Sequence, residues 1–128
     1  MVNTDPKIIT KNKIRYLYRR ILQRIREKPK GYFVFKKLRG CDGLCCWDYG
    51  IFIDPRKQFI PTLIHEVLHD LYPHNWEGWT MRVESKIMNN ITSYDIYRLI
   101  MEFFKKIDIN TYNPPPKKRK KSKKVLKK

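Results

Sequence analysis

Proline and glycine divide this chain into short segments, and each segment carries its own hydrophobic period. The breaks fall at Pro29 and Gly31, at Asp42-Gly43, at Asp54-Pro55, at Pro73 and at Asn113-Pro-Pro-Pro116. Between Pro6 and Lys28, Ile14, Leu17, Ile21, Leu22 and Ile25 recur at three- and four-residue steps among Arg and Lys, which predicts a basic amphipathic helix. Residues 31–39 are aromatic and β-branched and read as a strand. Asp42-Gly43 predicts a hairpin turn into a second strand from Leu44 to Ile53, with Gly50 as a bulge. A helix over roughly 57–72, closed by Pro73, follows. Asn75 is the expected cap of the next helix, roughly 76–90, with the stripe Trp76, Trp79 or Thr80, Val83, Ile87 and Ile91. Thr92 or Ser93 caps a last helix through Ile96, Leu99, Ile100, Phe103, Phe104 and Ile107.

Charge fixes how much of the chain this pattern occupies. Of 128 residues, 29 are Lys or Arg and 12 Asp or Glu, a formal net charge of +17. Nine basic and no acidic residues lie in Lys117 to Lys128. Residues 1–39 hold thirteen basic and two acidic residues, and residues 40–116 seven basic and ten acidic, so the middle of the chain is slightly acidic. One domain over 1–112 and a disordered Pro/Lys-rich tail over 113–128 are expected.

No run approaches the roughly 20 apolar residues that span a bilayer, so no membrane partner is expected. Met1 to Thr10 shows no apolar stretch before a small-residue cleavage site, and no secretory signal is expected. Cys41, Cys45 and Cys46 are odd in number and two are adjacent, which suits reduced thiols. A cytoplasmic monomer is the expectation, nuclear if the host is eukaryotic. The cysteines form no C-x-x-C and have no nearby histidine, so they read as packing residues rather than as a metal knuckle.

The most informative residues are His65-Glu66-Val67-Leu68-His69. Four residues along a helix turn the direction by about 40° and rise about 6 Å, so both imidazoles leave one face and can share an ion. Zinc accepts such nitrogen ligands, and a catalytic site takes three protein ligands and leaves the fourth position to water. Glu66 then stands beside that water as general base. Ile60, Leu63, Ile64, Val67, Leu68 and Leu71 set the motif beside a buried stripe. The plain alternative is a chance coincidence on an ordinary helix, which explains one histidine more easily than two a turn apart.

A third ligand must come from elsewhere. His74 is five residues past His69, where a metzincin spacing needs six, and Tyr72 stands where that pattern has glycine. Glu84 is the better candidate: in an antiparallel return after Pro73 it falls level with His65, about 13 Å along the next helix. An ordinary salt bridge to Lys86 or Arg98 is the competing role for Glu84, and His74 stays open as the alternative ligand. Glu77 reads as a first-turn charge favoured by the helix dipole.

His65-Glu66-Val67-Leu68-His69, Leu71-Tyr72-Pro73 and Val83-Glu84-Ser85-Lys86 together resemble the gluzincin-type zincin metallopeptidases, in particular the smallest single-domain proteins of phages and prokaryotes. The resemblance covers about residues 31–107. It implies an α+β zincin-like fold: an N-terminal helix, a small hairpin or sheet with an edge strand above the cleft, an active-site helix, a glutamate-bearing helix and a C-terminal helix. It further implies Zn2+ held by His65, His69 and Glu84, Glu66 as catalytic base, and a peptide or protein substrate paired with the Leu44 to Ile53 strand. His74 or Tyr72 would stabilise the oxyanion or stand at the rim. A weaker resemblance is to SprT-like DNA-associated proteases, whose third histidine is followed by glycine, unlike His74-Asn75-Trp76.

The basic run Lys117, Lys118, Arg119, Lys120 and Lys121 resembles a nuclear-import signal and would also bind nucleic acid through phosphates. No aromatic interleaves with it. A solubilising end is the bland alternative. The rival functional class is a non-enzymatic nucleic-acid-binding protein whose metal site is structural.

Overall fold

The computed structural model of the chain describes residues 9–47 and 49–107. The basic run from Lys117 to Lys121, and with it the tail over 113–128, lies outside the described residues.

Helix α1 spans Lys11–Glu27 and begins where Thr10 Oγ1 accepts from the Lys13 amide at 3.1 Å. It buries Ile14, Leu17, Tyr18, Ile21, Leu22 and Ile25, the expected stripe. It stops because Pro29 forces Lys28 out of the helical region, to φ −81° and ψ 149°. Gly31, at φ +96°, then turns the chain, and its amide donates to Lys106 O at 2.7 Å.

Three short strands follow: β1 (Phe33–Phe35), β2 (Gly43–Cys46) and β3 (Gly50–Ile53). Their order is β1-β3-β2, with β1 parallel to β3 (Phe33 opposite Ile51) and β2 antiparallel to it (Gly43 opposite Ile53). The expected hairpin is therefore displaced. Asp42-Gly43 is not the turn; the reversal lies between Cys46 and Gly50, where the Tyr49 amide donates to Cys46 O at 2.8 Å. Asp42 instead accepts from the Asp54 amide at 2.9 Å and closes the end of the sheet. Gly50 starts β3 rather than forming a bulge in a longer strand, and a Cβ there would stand 3.2 Å from Tyr32 O.

Helix α2 (Phe59–Leu71) carries Pro61 in its first turn, where a missing amide hydrogen costs nothing, and ends before Pro73. Helix α3 (Glu77–Asn90) is capped at Trp76, not Asn75, and buries Trp79, Thr80, Val83 and Ile87 while Trp76 stays exposed. Helix α4 (Ser93–Lys106) starts with a capping box in which Thr92 and Asp95 each bond the other's amide.

The architecture is α+β: four helices and a three-stranded mixed sheet. Helix α2 packs on β2 and β3 on one side and on α3 and α1 on the other. An aromatic cluster of Phe33, Phe35, Phe59 and Phe103 joins β1, the start of α2 and the end of α4. So α2, which carries the histidines, packs against β2, β3, α1 and α3. Among the described residues, no helix is long and apolar enough to cross a membrane.

Candidate metal centre

Helix α2 turns His65 and His69 outward from the core, half-buried, while Val67 and Leu68 between them are fully buried. Their rings meet edge to face, and the two Nε2 atoms stand 3.2 Å apart. Helix α3 then enters over this face. Glu77, its first residue, places Oε1 2.7 Å from His69 Nε2 and Oε2 3.0 Å from His65 Nε2.

These contacts make a triangle of one carboxylate and two imidazole nitrogens, with ligand atoms that all lie within 4.8 Å of one another. Ligands at roughly 2.0–2.1 Å from zinc on a tetrahedron stand about 3.3 Å apart, close to the edges seen here. The donor set, two imidazole nitrogens and a carboxylate oxygen, would suit a borderline divalent ion. The residues present could hold a metal ion.

Glu84, expected as the third ligand, takes a different place. Its Oε1 lies 2.8 Å from Nδ1 of His65, on the far side of the ring from the triangle. A carboxylate there would favour the proton on Nδ1 and leave Nε2 to face an ion. Glu77, read from sequence as a dipole charge, is the carboxylate that meets the Nε2 atoms of both histidines. Glu77 and Glu84 are seven residues apart, two helical turns, so one face of α3 presents both carboxylates to His65. That spacing is legible in the sequence, but which way the face points depends on how α3 crosses α2. In the metal-free chain these carboxylates raise the pKa of His65, the hydrogen bond to Glu84 most strongly and against the effect of burial.

Glu66 faces the other way round the helix, toward β2, and is 7 % exposed. Burial pushes its carboxyl up to about 7, with the charges of Glu77 and Glu84 adding to the effect and the His65 ring and the Cys45 amide opposing it. A cation held at the triangle would pull it back down. Gly43 lets β2 approach this closely: a Cβ there would stand 2.6 Å from Thr62 Cγ2 and 2.8 Å from Glu66 Cγ. The result is a cleft of about 710 Å³ between β2 and α2–α3, with His65, Glu66, His69, Glu77 and Glu84 in its lining.

Two rim expectations are not met. Neither His74 nor Tyr72 lines this cleft. His74 is exposed, and Tyr72 packs edge to face on Trp79 with its hydroxyl engaged by Arg20, because Pro73 turns the chain away before α3 begins. The three cysteines are free; Cys45 is part-buried, with Sγ 3.8 Å from Asp70 Oδ1, and burial pushes its thiol up, so it behaves as a packing residue.

No protein-family model matches the sequence, and neither a curated protein nor a solved structure matches it significantly.

Proposed function

We propose that this chain is a small zinc-dependent metallopeptidase of zincin type, with His65, His69 and Glu77 as ligands, Glu84 as the residue that orients His65, and Glu66 as general base. The observation that carries the reading is the triangle of His65 Nε2, His69 Nε2 and the Glu77 carboxylate, with Glu66 desolvated in the same cleft. Bound zinc supplies Lewis-acid polarisation of the scissile carbonyl and acidifies water at the site.

The remaining work falls to the chain. Glu84 keeps His65 in the tautomer that offers Nε2. Glu66 takes the proton from the attacking water and passes it to the leaving amine. Strand β2 lies at the edge of the sheet over the cleft, so an extended peptide adds beside Gly43–Cys46 and borrows its outer main-chain groups. Strand β3, also part of the expected substrate-pairing segment, is central and has no edge to offer. Leu44 on β2 and Met81 on α3, both exposed and lining the cleft, supply apolar contact for substrate side chains.

Metal analysis of the purified chain tests the reading: about one zinc per chain, retained in Glu66→Gln while peptide hydrolysis is lost. A chain that takes up no zinc, or one whose peptidase activity survives Glu66→Gln, would overturn it.

A further inference from the structure

Helix α1 carries seven basic residues against one acidic, Glu27, and the metal centre uses none of them. Its outer face meets α4 in a second cavity of about 670 Å³, remote in its lining from the first. Four arginines reach it, Arg15, Arg19 and Arg26 from α1 and Arg98 from α4, together with Tyr94. They are not equivalent. Arg15 is spent on Asp95, at 2.6 Å, and Arg26 lies 3.3 Å from Glu102. Arg19 and Arg98 have no acidic partner among the described residues. Glu27 also lines the cavity, with Arg24 3.9 Å away, so with Asp95 and Glu102 three carboxylates stand against the four guanidinium groups.

Tyr94, in the lining, is 63 % exposed, and Tyr97, the next turn of α4 and outside the lining, is 55 % exposed; their rings stack at 6.4 Å and 29°. The Arg98 guanidinium lies over the Tyr94 ring, 5.7 Å from its centroid. Free guanidinium groups answer phosphates, and exposed, stacked aromatic faces answer nucleobases. An acidic peptide or an anionic membrane would use the first feature and leave the second unexplained. We propose that the groove between α1 and α4 binds single-stranded nucleic acid, with Arg19 and Arg98 on phosphates and Tyr94 and Tyr97 as a stacking platform.

The test is fluorescence anisotropy of a labelled thymidine oligonucleotide of about 15 nucleotides with the full-length chain, in EDTA so that the metal centre plays no part. The Arg19→Gln/Arg98→Gln variant is expected to bind at least tenfold more weakly, and to flatten the slope of log K against log salt by about 1.4. Tyr94→Ala is expected to weaken binding at least fivefold with the slope unchanged. All three side chains lie at the surface, and near-UV circular dichroism checks that each variant is folded. A companion chain with Lys117, Lys118, Arg119, Lys120 and Lys121 changed to Gln should retain both effects. Affinity within twofold of wild type in either groove variant would overturn the proposal. So would binding abolished by the tail substitutions alone, or equal competition from poly-glutamate of matched charge.

Discussion

Glu84 Oε1 stands 2.8 Å from Nδ1 of His65, while Glu77 holds the opposite nitrogen of the same ring at 3.0 Å. One imidazole thus lies between two carboxylates two turns apart on α3, and the proposed function gives them different work, Glu77 as ligand and Glu84 as anchor. Glu77→Ala should weaken zinc binding by more than about 100-fold, since a coordinating atom is lost, and Glu84→Ala by about 10- to 100-fold, since only the ring's orientation and basicity suffer. Competition with a chromophoric chelator measures both. The reverse order would return the ligand role to Glu84.

His65 also makes zinc affinity depend on pH. Its raised pKa means that the metal-free ring keeps a proton to higher pH than a free histidine, and zinc must displace that proton. Affinity should therefore fall as pH is lowered through the His65 pKa. Removing the Glu84 carboxylate should move that fall to lower pH, because the largest cause of the raised value is gone. Zinc titrations at several pH values in wild type and Glu84→Gln check the shift, and superimposable profiles would contradict it.

Glu66 leaves its mark on the stability of the metal-free chain. Its folded pKa, about 7, is raised above the ordinary 4.5, so its contribution is fully present below about pH 4.5 and is lost as pH rises through 7. A shift of that size corresponds to about 3 kcal/mol. Glu66→Gln carries no such proton. Urea unfolding in EDTA should find wild type and variant similar near pH 4, with the variant ahead by a few kcal/mol near pH 8. A constant difference across that range would show that the carboxyl is not desolvated.

Much of this was legible in the residues, and what was not has a physical cause. The four helices follow from apolar spacing and from Pro29, Pro73 and Thr92, which act within a turn of their own position. Strand order does not. Asp42-Gly43 is a strong local turn signal, but Phe33, Ile51 and Ile53 are all nearly inaccessible, and this burial is met by placing β3 at the centre with β1 parallel to it. Asp54, fully buried, completes that arrangement by accepting from the Leu38 and Arg56 amides, a tie of 16 residues that no local pattern announces. Glu77 was obscured differently. A glutamate at a helix start satisfies the dipole wherever the helix points, so its second role depends on the angle at which α3 crosses α2.

Gly43 tests whether β2 must touch α2. In Gly43→Ala the new Cβ would meet Thr62 and Glu66 at under 3.0 Å, and either strand or helix must move. The expected cost is about 1–3 kcal/mol, with the proposed peptidase activity falling alongside because Glu66 shifts. Gly31→Ala is the control: its φ of +96° makes alanine strained, by about 1 kcal/mol, yet no atom lies within 4 Å and the cleft is distant. Loss of stability in both with loss of activity only in Gly43→Ala is the expected result. Unchanged activity in Gly43→Ala would mean that the close approach is not required.

Asp70, beside the second histidine, is the structural counterpart of the site. It is 1 % exposed, accepts from the Tyr32 hydroxyl at 2.7 Å, and faces Arg24 Nε at 3.5 Å and Lys28 Nζ at 3.9 Å. The two cations come from the end of α1, so one carboxylate ties that helix and the entry to β1 onto the helix bearing the two histidines. The ion pairs are long, and neither Arg24 Nε nor Asp70 Oδ2 has a hydrogen-bond partner among the described residues, so the tie depends on charge more than on directed bonds. Asp70→Asn keeps an acceptor for Tyr32 and removes the charge facing two poorly solvated cations. It should cost about 2–3 kcal/mol, below the usual range for a broken buried pair because the Arg24 side chain remains 25 % exposed. Tyr32→Phe loses one hydrogen bond and should cost about 1–2 kcal/mol. Asp70→Ala loses charge, acceptor and volume together and should cost the most. Urea midpoints give the order, and Asp70→Asn matching wild type would show that the charge at this junction contributes nothing.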